Sequence, residues 1–371
     1  MADVHQDTRP ASLVVSPAPH VTGSASSARL SWSVAFCLLP AAAWGVFLFG
    51  VPALGVLGVA VAASLAAELL ASLAARRVTI GDGSAIVTGL LVGMLMPPGV
   101  PLYVPAAASG FGIIVAKQSF GGLGRNWMNP ALAGVVVALL SWSDGMSRWL
   151  PVRSAAPTVT AVPPLEALRN ALTAGAPRGG ALEMLRASGY PWSGMDSSVV
   201  GWVNTHVLSL FGWHLPGGCF DLLVGNISGT IGGTSVPLLL LGAALLLSRR
   251  VIRWQLPVTY LAIFCLAAQV FGGLPAGGGW FVGNMLFQVF SGGGLVLGAF
   301  FMATDPVTSP LTRTGQLAYG LCLGVLTFFL RTFGSLGDGV PLAILLGNCL
   351  SPLIDRFTRP AFPTQRKAAP G

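Results

Sequence analysis

Apolar stretches long enough to cross a bilayer recur along almost the whole chain, and no other feature constrains the fold as strongly. A spanning helix needs about 20 mostly apolar residues. Ten stretches meet or approach that length: 33–50, 52–74, 84–97, 101–117, 129–143, 235–248, 255–272, 280–303, 315–332 and 339–354. Only 9% of the 371 residues are charged and 53% are hydrophobic, whereas a soluble domain carries about 25% charged residues. Such a surface faces hydrocarbon over most of its area. The expected fold class is therefore an all-α polytopic membrane protein with ten transmembrane helices. Two stretches, 84–97 and 129–143, are short and bounded by Gly or Pro. They predict half-helices shielded inside the bundle, as in folds built from an inverted repeat.

Charge placement sets the orientation. With a cytoplasmic N-terminus, ten spans put Arg9, Arg29, Arg76, Arg77, Lys117, Arg125, Arg249, Arg250, Arg253, Arg313, Arg356, Arg359, Arg366 and Lys367 on one side. The short loops opposite (VPALG, PPGVP, GGLPAGGG) carry no Lys or Arg, as the positive-inside rule requires. That rule also accounts for the net charge of +8, and no basic patch interleaved with aromatics points to nucleic acid. Residues 1–32 read as a disordered cytoplasmic tail without the pattern of a secretory signal. After them come a first bundle half over 33–143, an extracytoplasmic loop region over 144–234, a second half over 235–355 and a cytoplasmic tail over 356–371. Within the loop region, EALRNAL and ALEMLRA read as short amphipathic helices. The five cysteines stand singly with no CxxC, so neither a disulfide framework nor a metal site is indicated.

Four polar features interrupt the apolar pattern. After Lys117 and Gln118 comes GGLGRNWMNPA, where Gly121, Gly122 and Gly124 permit φ > 0 and Asn126 and Asn129 supply amides. It reads either as a tight turn with an Asn cap or as backbone approaching a ligand closely. FFMATDPVTSPLTRTG groups Asp305 with Thr304, Thr308, Ser309 and Thr312, and Pro306 and Pro310 break the helix. This is either a turn with Asp305 as a plain N-cap or the lining of an ion or cofactor site. GNISGTIGGTS, where the outer loop re-enters the membrane, offers Asn226, Ser228, Thr230, Thr234 and Ser235 as ligand contacts or as caps of the next helix. Glu68 lies inside the second span, two turns before Arg76 and Arg77. An acid at membrane depth is a functional candidate by default, beside the plainer reading of an interfacial ion pair.

In order and spacing, SAIVTGLLVGMLMPP, AKQSFGGLGRNWMNPALAG, GNISGTIGGTS and ATDPVTSPLT resemble a family over residues 33–356. It comprises the D subunit of the Rnf ion-translocating ferredoxin:NAD oxidoreductase and the B subunit of the Na⁺-translocating NADH:quinone reductase. The resemblance implies a multi-pass component of the bacterial inner membrane that carries electrons through flavin, couples them to ion transport and relies on partner subunits for catalysis. It also implies FMN, joined through a phosphoester to a threonine in a motif like D-x-x-S-G-A-T-P-L, and a noncovalent riboflavin. The flavin contacts would come from Thr158, Thr160, Gly121, Gly122, Asn126, Asn129, Asn226, Thr230, Asp305 and Thr308, and the ion path from Glu68 and Asp305.

One motif departs from the family. The matching stretch is PTVTAVPPL, residues 157–165, with Pro163 where the acceptor threonine belongs and Pro157 where the aspartate belongs. Proline has no hydroxyl and forms no phosphoester, so covalent FMN at that position is not expected. Thr158 and Thr160 remain as nearby hydroxyls for a shifted attachment. Two other classes stay open beside the redox role: a solute channel or transporter, and a cofactor-free scaffold around which partner subunits assemble.

Overall fold

The computed structural model describes residues 26–76, 80–152, 162–173, 181–273, 289, 294–334 and 337–358. Among them every regular element is a helix and no strand occurs. The first half contains α1 (Ser27–Phe49), α2 (Val51–Ala75), α3 (Ser84–Met94), α4 (Tyr103–Phe111) and α5 (Pro130–Ser141), followed by a single turn, α6 (Ser143–Met146). The outer loop region contributes α7 (Pro164–Thr173), α8 (Ala181–Ala187), α9 (Gly194–His206) and α10 (Cys219–Val224). The second half comprises α11 (Val236–Ser248), α12 (Gln255–Ala267), α13 (Leu295–Leu297), α14 (Arg313–Phe333) and α15 (Val340–Thr358). Nine of the ten expected spans coincide with described helices, and most of 280–303 lies outside the described residues.

Length and exposure show which helices face lipid. α1, α2, α14 and α15 are long and apolar enough to cross a membrane. Their outward faces carry large apolar side chains: Phe36 is 65% exposed, Leu73 66% and Phe333 75%. In water such faces would drive aggregation, whereas in hydrocarbon they cost nothing. The protein is a multi-pass membrane protein. Helices in lipid associate by close packing of small residues, and α2 turns Ala53, Ala60, Ser64 and Ala67 inward. Gly89 of α3 lies so close that a Cβ there would sit 2.6 Å from the Val61 Cα and 2.4 Å from the Ser64 Oγ.

The two short stretches are short helices, as expected. α3 has 11 residues and so spans about 16 Å at about 1.5 Å per residue, half the hydrocarbon core. Its peptide groups stay inside the bundle, where the re-entering segment meets its end. Ile231 N donates to Met96 O at 3.1 Å and Gly232 N to Met94 O at 2.7 Å. Irregular backbone at membrane depth survives because protein, not lipid, surrounds it.

The outer region has a small core of its own, formed by Leu168, Leu182, Leu185, Leu222 and Ile227. The amphipathic readings of α7 and α8 hold. Two buried acids tie this region together. Asp196 accepts from the N–H groups of Gly218 (2.6 Å), Phe220 (2.9 Å) and Asp221 (3.2 Å). Asp221 accepts from both Ser193 N and Ser193 Oγ at 2.7 Å.

Two boundaries differ from expectation. α1 begins at Ser27, inside the 1–32 stretch expected as a tail, with Ser26 as its cap, its Oγ accepting from Arg29 N at 3.3 Å. At the other end α15 continues to Thr358, past the expected limit at 355. Residues 1–25 and 359–371 lie outside the described residues.

Candidate functional site

Two of the π-helical turns among the described residues shape one end of the bundle. α4 continues as a π turn over Gly112–Lys117, and α13 as another over Gly298–Met302. A π turn inserts an extra residue and re-aims the side chains that follow, and it recurs at functional sites. The first ends on Lys117, and the second leads into Thr304 and Asp305. All three residues line one cavity of about 860 Å³, together with Gly121, Gly122, Asn126 and Asn129. The two polar turns singled out in the sequence, nearly 180 positions apart, therefore line one chamber.

The glycine turn is built as a tight turn, the first of its two readings. Gly122 N donates to Lys117 O at 3.1 Å and Gly121 N to Gln118 O at 3.0 Å, closing the helix. Gly121 (φ +103°) and Gly122 (φ +94°) adopt left-handed backbone to do so, a conformation that strains other residues. The same turn exposes its backbone to the cavity. Asn126 Nδ2 donates to Met128 O at 3.0 Å, but its buried Oδ1 has no partner among the described residues, nor does the Nε2 of Gln118. Buried polar atoms are normally satisfied, so these two stand out in the chamber wall, where neither is open to the cavity as the side chains stand.

Asn129 caps α5, its Oδ1 accepting from Ala131 N (3.0 Å) and Leu132 N (3.4 Å). Its Nδ2 donates across to Asp305 Oδ2 at 3.4 Å. Asp305 is not the N-cap of α14, because Thr312 takes that role, its Oγ1 accepting from Gly315 N at 3.0 Å. The Asp305 carboxylate instead accepts from Val307 N at 3.1 Å and faces the chamber.

The remaining predicted residues lie elsewhere. Thr308 is buried behind Asp305 and borders an adjoining groove with Asn348. Thr230 lines a second cavity of about 230 Å³, whose wall includes Leu95 just past the far end of α3. Since Ser84 at the start of α3 lines the large chamber, the two cavities lie at opposite ends of that half-helix. Asn226 is near this outer end, its Nδ2 donating to Asp221 Oδ1 at 3.2 Å. Ser235 stands at the N-cap of α11 without a side-chain capping bond. Thr158 and Thr160 lie outside the described residues. Pro163 is described, and it lines the outer cavity with Arg169 and Asp338. Pro163, which carries no hydroxyl, thus borders a mainly apolar cavity.

Lys117 requires a correction. The orientation argument placed it among the cytoplasmic charges, but its side chain is only 2% exposed and ion-paired with Glu68, itself 0% exposed, at 2.9 Å. Lys117 Nζ also donates to Ser84 Oγ at 2.7 Å, and Ser84 Oγ donates to Asp82 Oδ1 at 2.6 Å. Sequence reasoning picked out Glu68 but missed Lys117, Ser84 and Asp82 as its neighbours. The available signal was a lysine preceded by the uninterrupted apolar run FGIIVA, which invites burial of the charge. At the outer end Arg331 pairs with Asp338, Nε to Oδ1 at 2.7 Å, with its guanidinium over the Phe264 ring.

Comparison with known proteins identifies the family. The model of the NQR2, RnfD, RnfE family matches residues 14–362. A Clostridium ljungdahlii protein, named as the D subunit of a proton-translocating ferredoxin:NAD(+) oxidoreductase complex, is 37% identical over 355 residues, covering 95% of this chain and 96% of its own. The corresponding D subunit of the Na(+)-translocating ferredoxin:NAD(+) oxidoreductase complex of Acetobacterium woodii is 32% identical, covering 94% of each chain. That of the ion-translocating oxidoreductase complex of Stutzerimonas stutzeri is 37% identical, covering 90% of each. With every polar motif of the sequence placed within one matched stretch, the chain belongs to the NQR2, RnfD, RnfE family.

Proposed function

We propose that this chain is the membrane subunit of an Rnf-type ion-translocating electron-transport complex, working with the other subunits of that complex. It sits in the bacterial inner membrane with both termini cytoplasmic. Its relatives carry names of that kind across nearly their full length. The observation that carries the reading is the chamber of about 860 Å³ between the glycine turn and the Asp305 turn. A scaffold without a ligand would have no use for a chamber of that size whose walls leave Gln118 Nε2 and Asn126 Oδ1 unpaired.

The residues present fit a noncovalent flavin in this chamber. When bound, a flavin supplies one- and two-electron transfer, and the protein supplies position and electrostatics. The Gln118 amide would donate to a ring carbonyl, Asn126 Oδ1 would accept from a ring N–H, and the Gly121–Gly122 backbone would allow close approach. Asn129 and Asp305 would line the same chamber, and the half-helix ends behind them would exclude water. The outer cavity does not fit the family's covalent FMN, because Pro163 cannot form the bond. Ion coupling would run through the acids at membrane depth, Glu68 and Asp305.

Pro163 also favours a second reading, a protein that serves assembly without its own flavin. One purification separates the two. The native protein should show flavin absorbance, and the denatured protein should run on a gel without flavin fluorescence and with the unmodified mass. Colourless native protein would favour the scaffold. A fluorescent denatured band that vanishes in Thr160→Ala would show a shifted covalent attachment instead. Orientation is tested by reporter fusions at residues 250 and 180, which should report opposite compartments.

A further inference from the structure

The ion pair between Glu68 and Lys117 is difficult to explain as a stabilising element. Removing two charges from water costs more than their attraction commonly returns, and apolar residues of similar volume usually leave a fold as stable or more so. A buried pair at membrane depth therefore calls for another role, and the neighbouring groups suggest one. Lys117 Nζ touches Glu68 Oε2 directly at 2.9 Å and reaches Asp82 through the Ser84 hydroxyl, by bonds of 2.7 and 2.6 Å. One ammonium thus lies between two carboxylates. Asp82, Ser84 and Lys117 line the large chamber, whereas Glu68 lies behind them. Lysine suits a mobile role, being a compact charge with three donors on a flexible stem. It is delivered here by the π turn Gly112–Lys117, which ends beside α2 and the start of α3.

We propose that Glu68 is a cation-binding carboxylate whose resting occupant is the Lys117 ammonium. A transported cation that reaches Glu68 displaces Lys117 toward Ser84 and Asp82, and its departure lets Lys117 return. At rest the single ammonium is shared between two carboxylates, and the arriving cation matches the second, so the loaded site is neutral and the empty one carries one net negative charge. Glu68 exchanges one cation for another while the ammonium moves from direct contact with one carboxylate to direct contact with the other. Ser84 serves as the intermediate contact, its oxygen accepting from Lys117 and its hydroxyl held by Asp82. The displacement step rests on the ion-translocation reading above, but the occupancy of Glu68 by Lys117 does not.

Dicyclohexylcarbodiimide, which modifies protonated carboxyl groups in apolar surroundings, reads the state of Glu68 in native membranes holding the full complex. Label on the Glu68 peptide is quantified by mass spectrometry in choline medium, with Glu68→Gln as the control for site identity. The wild type should label weakly, Lys117→Arg equally weakly, and Lys117→Met about tenfold more strongly, since a buried carboxylate that loses its ammonium takes up a proton more readily. Sodium should suppress the Lys117→Met label if sodium is the displacing ion, and raised pH should do so if it is the proton. Equal labelling of wild type and Lys117→Met, or of Lys117→Arg and Lys117→Met, overturns the proposal. Ser84→Ala keeps the pair, so its label should stay at the wild-type level while ion uptake by inverted vesicles slows severalfold. Unchanged uptake overturns the displacement. If wild-type vesicles take up no ion while the label pattern holds, the translocation reading fails and the Lys117 occupancy stands.

Discussion

Asn129 and Asp305, 176 positions apart, meet in the wall of the large chamber, the amide nitrogen of one donating to the carboxylate of the other at 3.4 Å. Through this contact the cap of α5 and the broken turn before α14 hold each other in place. The same asparagine accepts from Ala131 N and Leu132 N with its oxygen. Asn129→Ala should cost about 1–2 kcal/mol through the lost cap. Asn129→Asp should retain most of that stability, because aspartate caps as well as asparagine does, but it sets a second acid beside Asp305. The expected result is near-normal thermal unfolding in detergent for Asn129→Asp, with weaker flavin retention under the proposed flavin reading, and a lower melting temperature for Asn129→Ala.

Arg331 is 2% exposed and pairs with Asp338 at the outer end of α14. Removing one partner leaves the other charge buried. Arg331→Met and Asp338→Leu should each destabilise by about 3–5 kcal/mol, whereas the double substitution should recover much of that loss. Unfolding of the detergent-solubilised protein monitored by circular dichroism checks both. Additive losses in the double variant would show that the two charges do not act as a pair.

At Gly89 a Cβ would lie 2.6 Å from the Val61 Cα, a backbone atom that cannot rotate away. Gly89→Ala should therefore push α3 off α2 and cost about 1–3 kcal/mol, as overpacking does. Since α2 carries Glu68 and α3 carries Ser84, it should also raise carbodiimide labelling of Glu68. Gly58, with open space around its Cβ position, is the matched control, and Gly58→Ala should do neither.

Asp196 accepts three backbone N–H bonds that link α9 to the start of α10. Asp196→Ala would leave those donors buried and unpaired, a loss of about 1–3 kcal/mol for each bond of this kind before relaxation. Limited proteolysis should then cut the outer loop region at least severalfold faster while the membrane helices stay intact. Equal cleavage rates would show that the core of the outer region holds without this tie.

Cys219 begins α10, and burial pushes its thiol up to about 11, with the neighbouring Asp196 carboxylate adding to the shift. Only the thiolate is a strong nucleophile, so at pH 8 almost all of this thiol is in its unreactive form. Iodoacetamide should modify Cys219 slowly in the native protein and rapidly after denaturation, as followed by peptide mass spectrometry. Reaction should accelerate as the pH rises toward 11. A fast native reaction at pH 8 would refute the burial argument.

The sequence alone settled the membrane class, the order of the helices and the shortness of α3 and α5. Each of these follows from local runs of apolar residues and from where Gly and Pro interrupt them. It also marked Asp305, Asn129 and the glycine turn, because polar groups in an apolar context are visible one at a time, and it showed that position 163 is a proline without a hydroxyl. Only the tertiary structure decided which of these groups meet. The 3.4 Å contact between Asn129 and Asp305, the placement of Thr230 at the far end of α3, and the burial of Lys117 against Glu68 each depend on helix packing. A charge count assigns a lysine to a membrane face from its position along the chain. Whether its ammonium reaches water or turns inward depends on the twist of a single π turn and on an acid 49 residues away, and no local pattern carries that information.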